Sequence, residues 1–262
     1  MLKLDKKEFQ DFSKKSLTDV KKLSETSEKL KEYYIDKCDL VFDMFNELNK
    51  RTYLKKLNKA KIKEINKNID KIMKTLDSFN DIFVLVNDEI EARKRMKECK
   101  IRPESYVLIQ GLAFSSLCEI NRELFQEVID CSLIKTKEGK IKNINGLGDL
   151  IYSLKDNLKI QNIGYFDDID VKLRNSFFHF NFKIERKDDS TVKIIIYCQN
   201  KPEIHIAFDK GLETPIRSED DNDQLDYILF TDLLFSRSNL DTSTLALLSM
   251  IQYMFKKFEV ET

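Results

Sequence analysis

The chain has 262 residues, 42% hydrophobic and 34% charged, with 45 basic side chains against 45 acidic ones. That length gives one large domain or two small ones, and the balanced charge excludes a global pull toward nucleic acid or anionic lipid. Six Gly and three Pro are too few for a turn-rich all-β fold and favour long helices.

The five cysteines, Cys38, Cys99, Cys118, Cys131 and Cys198, form no CxxC pair. Their odd number and wide spacing argue against a secreted disulfide framework, and two histidines are too few to complete a zinc site. The N-terminus, Met-Leu-Lys-Leu-Asp-Lys-Lys, lacks the apolar segment of a signal peptide. The mid-chain apolar run Ile82–Val86 is far shorter than the ~20 residues that span a bilayer. The expectation is a cytoplasmic protein with no membrane contact, no metal and no cofactor.

From about residue 6 to 100 the chain reads as helix nearly throughout. Leu54, Leu57, Ile62, Ile65, Ile69, Ile72, Met73 and Leu76 recur at steps of mostly three and four residues, opposite a lysine-rich face. Ten basic residues fall between Lys50 and Lys74 against two acids, Glu64 and Asp70. Such a run is a solvated helix face or, in the sharper reading, a surface that tracks a phosphate backbone. Residues 1–102 are therefore expected to form an N-terminal helical arm or hairpin.

Pro103 marks a boundary, and a core helix follows through Val107, Leu108, Leu112, Phe114, Leu117, Ile120, Leu124, Phe125, Val128 and Ile129. Gly111 lies inside it and costs helix stability unless something packs closely there. Lys135 to Gly148 reads as a loop without a phosphate-binding glycine pattern. Helix resumes from about Asp149 to Leu158 and again from about Phe166 through His179. Alternation then takes over, in Phe180–Glu185, Val192–Cys198 and Ile204–Phe208, and predicts a small antiparallel β-meander at about 181–209. Five acids between Glu219 and Asp226 form a loop, and helices are expected at about Leu225–Phe235 and Thr242–Phe258. The fold class is mainly α.

His205 sits in an alternating strand and reads as a half-exposed strand residue. His179 differs, because it closes an apolar helix and follows Arg174-Asn175-Ser176-Phe177-Phe178. Asn175 and His179 are four residues apart and share a helix face, whereas Arg174 lies ~140° from His179 around an ideal helix. Either the long arginine reaches around, or the helix deforms near its end, or the site is shared with a second copy. Arginine offers a planar donor fork for phosphate oxygens, and imidazole exchanges a proton near neutral pH. Asparagine can hold either by hydrogen bonding. RNA brings its own nucleophile, the 2′-hydroxyl. These parts suffice for metal-independent RNA cleavage.

The motif resembles the HEPN superfamily, whose signature is Arg, four to six residues, then His, often with Asn directly after the Arg. The resemblance covers residues 103 to 182 and extends to the C-terminal helices. It implies a helical bundle of about four helices over residues 103–262, with the β-meander as an addition. It also implies a homodimer in which two motif helices build one composite cleft, and an endoribonuclease of toxin or antiviral-defence type that leaves 2′,3′-cyclic phosphate ends. Arg174, Asn175 and His179 would be catalytic, and Lys172, Phe178 and Asn181 would contact RNA. Toxins of this kind that pair with a nucleotidyltransferase antitoxin often carry Tyr two residues after the His, where this chain has Asn181. The alternative is a non-catalytic HEPN module that binds RNA or a protein partner. A third reading makes His179 an ordinary helix-ending residue with Arg174 paired to Asp168 or Asp170.

Overall fold

The computed structural model describes residues 2–19, 28–74, 77–78, 103–130, 132, 144, 146–167, 169–186, 191–198, 201–209 and 226–261. These are mainly helical. The chain forms two compact units that interleave in sequence. The first comprises Met1–Ile72, Cys118–Ile169 and Asn239–Thr262, and the second Met73–Leu117 and Asp170–Ser238.

Helix starts follow side-chain chemistry. Helix α1 (Lys6–Asp19) opens at Asp5, whose carboxylate accepts from the Glu8 N–H at 2.9 Å. Helix α2 spans Glu28–Lys50, and α3 occupies residues 59–74. Asn58 caps α3 by accepting from the Lys61 N–H at 2.8 Å. Each cap satisfies one of the donors that a first helical turn leaves orphaned.

Helix stops follow a different rule, because glycine is scarce. Among the described residues the non-glycine positions with positive φ are Thr52 (60°), Lys159 (53°) and Phe180 (54°), and each sits just past a helical end. At the end of α2 the Thr52 N–H bonds the Asn49 carbonyl and the Tyr53 N–H reaches back to Leu48, which is a Schellman closure. A β-branched residue is poorly suited to this conformation, which costs ordinary side chains about 1–2 kcal/mol. Thr52→Gly should therefore raise stability by about 1 kcal/mol after glycine's own entropy is charged against it. Thermal unfolding should shift upward by roughly 2–4 °C, and an unchanged or lower midpoint would show that the strain is absent.

The sequence expectation of nearly continuous helix from 6 to 100 fails at 51–58, where the chain turns and Leu54 bridges to Ile129. Residues 20–27, 75–76 and 79–100 lie outside the described residues. In α3 the stripe Ile62, Ile65, Ile69 and Ile72 is buried. The core helix α4 spans Pro103–Val128. Its second half joins the first unit's core, where Phe125 packs against Phe45 (5.6 Å between centroids), Tyr165 (5.5 Å) and Phe166 (5.0 Å). Phe9 of α1 stacks on Phe42 at 5.6 Å and meets Tyr253 at 5.3 Å.

Helix α5 (Leu147–Tyr152) begins two residues earlier than expected and continues as a π-helical turn, Ser153–Asn157. Before α6 (Val171–Phe178) comes only a 3-10 turn, Gly164–Phe166, so the helix expected from Phe166 starts five residues later. Asp170 causes this by capping α6, its carboxylate accepting from the Leu173 N–H at 2.9 Å.

In the second unit strands β1 (Phe182–Arg186), β2 (Thr191–Cys198) and β3 (Lys201–Asp209) pair antiparallel in order, and β4 (Asp226–Leu229) joins β3 in parallel. The register shifts between Ile196 and Tyr197, where Pro202 stands opposite Tyr197 and has no N–H for the ladder. The two helices expected at the C-terminus are one, α7 (Phe230–Glu261), and the first residues assigned to helix there form β4.

Among the described residues no helix is long and apolar enough to cross a membrane.

Candidate functional site

The candidate residues lie at the C-terminal end of α6 in the second unit. Two small residues of α4 let α6 approach. A Cβ at Gly111 would fall 2.2–2.4 Å from ring atoms of Phe177, so the ring occupies the space that any side chain there would need. One turn further, the Ser115 hydroxyl donates to the Arg174 carbonyl at 3.0 Å. Phe177 is fully buried and also packs on Phe182, 5.4 Å between centroids.

The end of α6 is a second Schellman closure. The Phe180 N–H bonds the Phe177 carbonyl at 3.3 Å and the Asn181 N–H reaches Ser176 at 2.8 Å. Phe180 holds the left-handed position, usually glycine, and is 67% exposed. His179 is thus the last residue before the turn, its N–H held by the Asn175 carbonyl at 3.0 Å and its side chain exposed.

Arg174 is 6% exposed. Its Nη1 donates to Asn175 Oδ1 at 2.6 Å, and its guanidinium lies 4.4 Å from the Phe178 ring centroid. Phe178 in turn stands edge-to-face with His179, 5.3 Å between centroids at 89°. The guanidinium and the imidazole therefore contact the same ring. This answers part of the geometric question left by the helical wheel: a shared aromatic bridges the two angular positions. The His179 ring nitrogens make no hydrogen bond among the described residues, which leaves them available to a ligand.

Of the residues expected to contact RNA, Phe178 is 47% exposed and Asn181 is exposed. The side chain of Lys172 lies outside the described residues. The Ser115 anchor, the Asp170 cap and the left-handed Phe180 are the supporting parts that the motif alone does not reveal. Of these only Asp170 carried a sequence signal, as an Asp just ahead of an apolar helix.

Other candidates resolve as structure. Asn121, on α4 beside Glu119, Arg122 and Glu123, is fully buried in the first unit. Its amide nitrogen donates to Thr244 at 2.8 Å, and the Tyr165 hydroxyl donates to its oxygen at 2.5 Å. Arg122 pairs with Glu119 at 2.7 Å. Cys38 and Cys118 are both buried in the core. Burial pushes the Cys38 thiol up to about 12, so it is a core residue and not a nucleophile at neutral pH. Burial likewise pushes the neighbouring Tyr34 phenol above its ordinary value. No group of His, Cys, Asp and Glu that could hold a metal occurs among the described residues.

Compared with protein-family models, curated proteins and solved structures, the chain matches none.

Proposed function

We propose that the chain is a HEPN-type endoribonuclease that cleaves RNA without metal, with Arg174, Asn175 and His179 as its catalytic residues. The observation that supports this most is the exposed His179 imidazole, held at a helix end against the same Phe178 ring that carries the Arg174 guanidinium. On this reading the helices form a HEPN-like bundle, strands β1–β3 form its inserted meander, and two copies pair to make one cleft. The protein acts in the cytoplasm as a toxin or phage-defence effector, and a nucleotidyltransferase antitoxin is the partner class that such toxins imply.

The reaction needs only what these groups supply. His179 takes the proton of a 2′-hydroxyl as its oxygen attacks the adjacent phosphorus. Arg174 donates to the phosphate oxygens where negative charge builds up, and the Asn175 amide adds a donor beside it. The bond from phosphorus to the 5′-oxygen breaks, and an imidazolium, from His179 of either copy, protonates the leaving oxygen. The products are a 2′,3′-cyclic phosphate and a 5′-hydroxyl.

One observation favours a second reading, a non-catalytic HEPN module. Arg174 is nearly buried and already engaged with Asn175 and Phe178, which suits a structural clamp at a binding face. The two readings separate when purified wild-type and His179→Ala proteins are incubated with total RNA in EDTA, with solution mass measured alongside. The enzyme reading expects degradation by a dimeric wild type, slowed on the order of 10²–10⁴-fold in the variant. RNA retention without cleavage products supports the binding module instead.

A further inference from the structure

The lysine-rich stretch noted in the sequence takes a definite form in α3. Lys59, Lys63, Lys67 and Lys71 succeed one another at four-residue steps, and all four are exposed. They form a slanting ridge with about 6 Å between neighbours along the axis and about 18 Å from first to last. Lys59, Lys63 and Lys67 form no ion pair among the described residues, whereas Lys61, off the ridge, pairs with Glu64 at 3.0 Å. Like charges four residues apart oppose each other on a helix, so Lys59, Lys63 and Lys67 work against α3's own stability.

The helix cannot turn the ridge away from solvent. Ile62, Ile65, Ile69 and Ile72 are buried on the opposite side. Asn68 donates to Glu127 of α4 at 3.0 Å, within the first unit. The ridge is therefore a fixed array of cations on a chain whose total charge is zero.

We propose that Lys59, Lys63, Lys67 and Lys71 form a binding surface for the phosphodiester backbone of single-stranded nucleic acid. A linear polyanion whose charges repeat at a spacing close to that of the ridge can run along all four exposed side chains and relieve the repulsion among Lys59, Lys63 and Lys67. A lipid surface fits less well, because an interfacial helix binds by inserting its apolar face. Here that face is already buried in the protein, which leaves charge alone. The proposal does not depend on the ribonuclease reading, since it concerns binding and uses none of the α6 residues.

The test measures binding of a fluorescent uridine oligoribonucleotide across a salt series, in the His179→Ala background so that the probe stays intact. Each phosphate neutralised on a single strand contributes about 0.7 to the slope of log K against log salt. Replacing the four ridge lysines with glutamine, a comparable helix former, should make that slope shallower by about 3 and weaken low-salt binding more than tenfold. Replacing Lys7, Lys14, Lys29 and Lys155, which are exposed on other helical segments, should leave most of both. Equal losses in the two variants would reduce the effect to net charge and overturn the proposal. So would an unchanged slope in a ridge variant that keeps its helical circular dichroism, or ridge-dependent binding to phosphatidylserine vesicles without binding to the oligonucleotide.

Discussion

Gly111→Ala is expected to destabilise the protein even though alanine is the better helix former. A Cβ at this position meets the Phe177 ring at 2.2–2.4 Å, far inside van der Waals contact. The ring is fully buried and backed by Phe182, so it has little room to retreat. Overpacking of this kind costs up to about 3 kcal/mol, and the helix propensity of alanine returns about 1. The net loss of about 2 kcal/mol should lower the thermal midpoint by roughly 4–8 °C. Phe177→Leu removes ring atoms from the contact, so Gly111→Ala should cost much less in that background. Equal effects in both backgrounds would show that the two positions do not meet.

Arg174→Lys is the second large effect, and it falls on activity. Lysine keeps the positive charge but loses the planar fork that donates to Asn175 at 2.6 Å and lies over Phe178. If the guanidinium stabilises charge on the reacting phosphate, kcat should fall on the order of 100-fold or more, with a smaller change in KM. A structural clamp predicts the reverse pattern, with a lowered unfolding midpoint and unchanged cleavage per folded molecule. Wild-type kcat in a folded Arg174→Lys protein would remove Arg174 from the chemistry.

How much of this was legible in the sequence depended on whether the signal was local. Pro103 opens α4, and the glycine inside that helix does have a close neighbour, although nothing in the sequence names Phe177. The isoleucine stripe at 62–72 is buried as its spacing implies. The break after Lys50 carries no glycine or proline, because Thr52 adopts the left-handed turn itself. Periodicity therefore ran through it. At the C-terminus the polar run Ser236-Arg-Ser-Asn-Leu-Asp241 looked like a gap between two helices, the second beginning at Thr242. In fact Ser243 and Thr244 donate to the carbonyls of Asn239 and Leu240 at 2.9 and 2.7 Å, which satisfies their hydroxyls within one unbroken α7. The interleaving of the two units rests on long-range packing, which no window of local pattern reports.

The site divides in the same way. The Arg-Asn-x3-His spacing named the residues, and exposure of His179 at a helix end is consistent with the role proposed for it. The bridge through Phe178, the Ser115 anchor and the strained Phe180 turn depend on angles and neighbours that a one-dimensional motif does not encode.

The most direct measurement uses one defined RNA strand and its 2′-deoxy counterpart, each incubated in EDTA with wild-type or His179→Ala protein, with the product ends identified. The account predicts 2′,3′-cyclic phosphate ends from wild type acting on RNA, almost none from the variant, and an intact deoxy strand. Cleavage by His179→Ala at the wild-type rate, cutting of the deoxy strand, or cutting only after a divalent metal is added would contradict it.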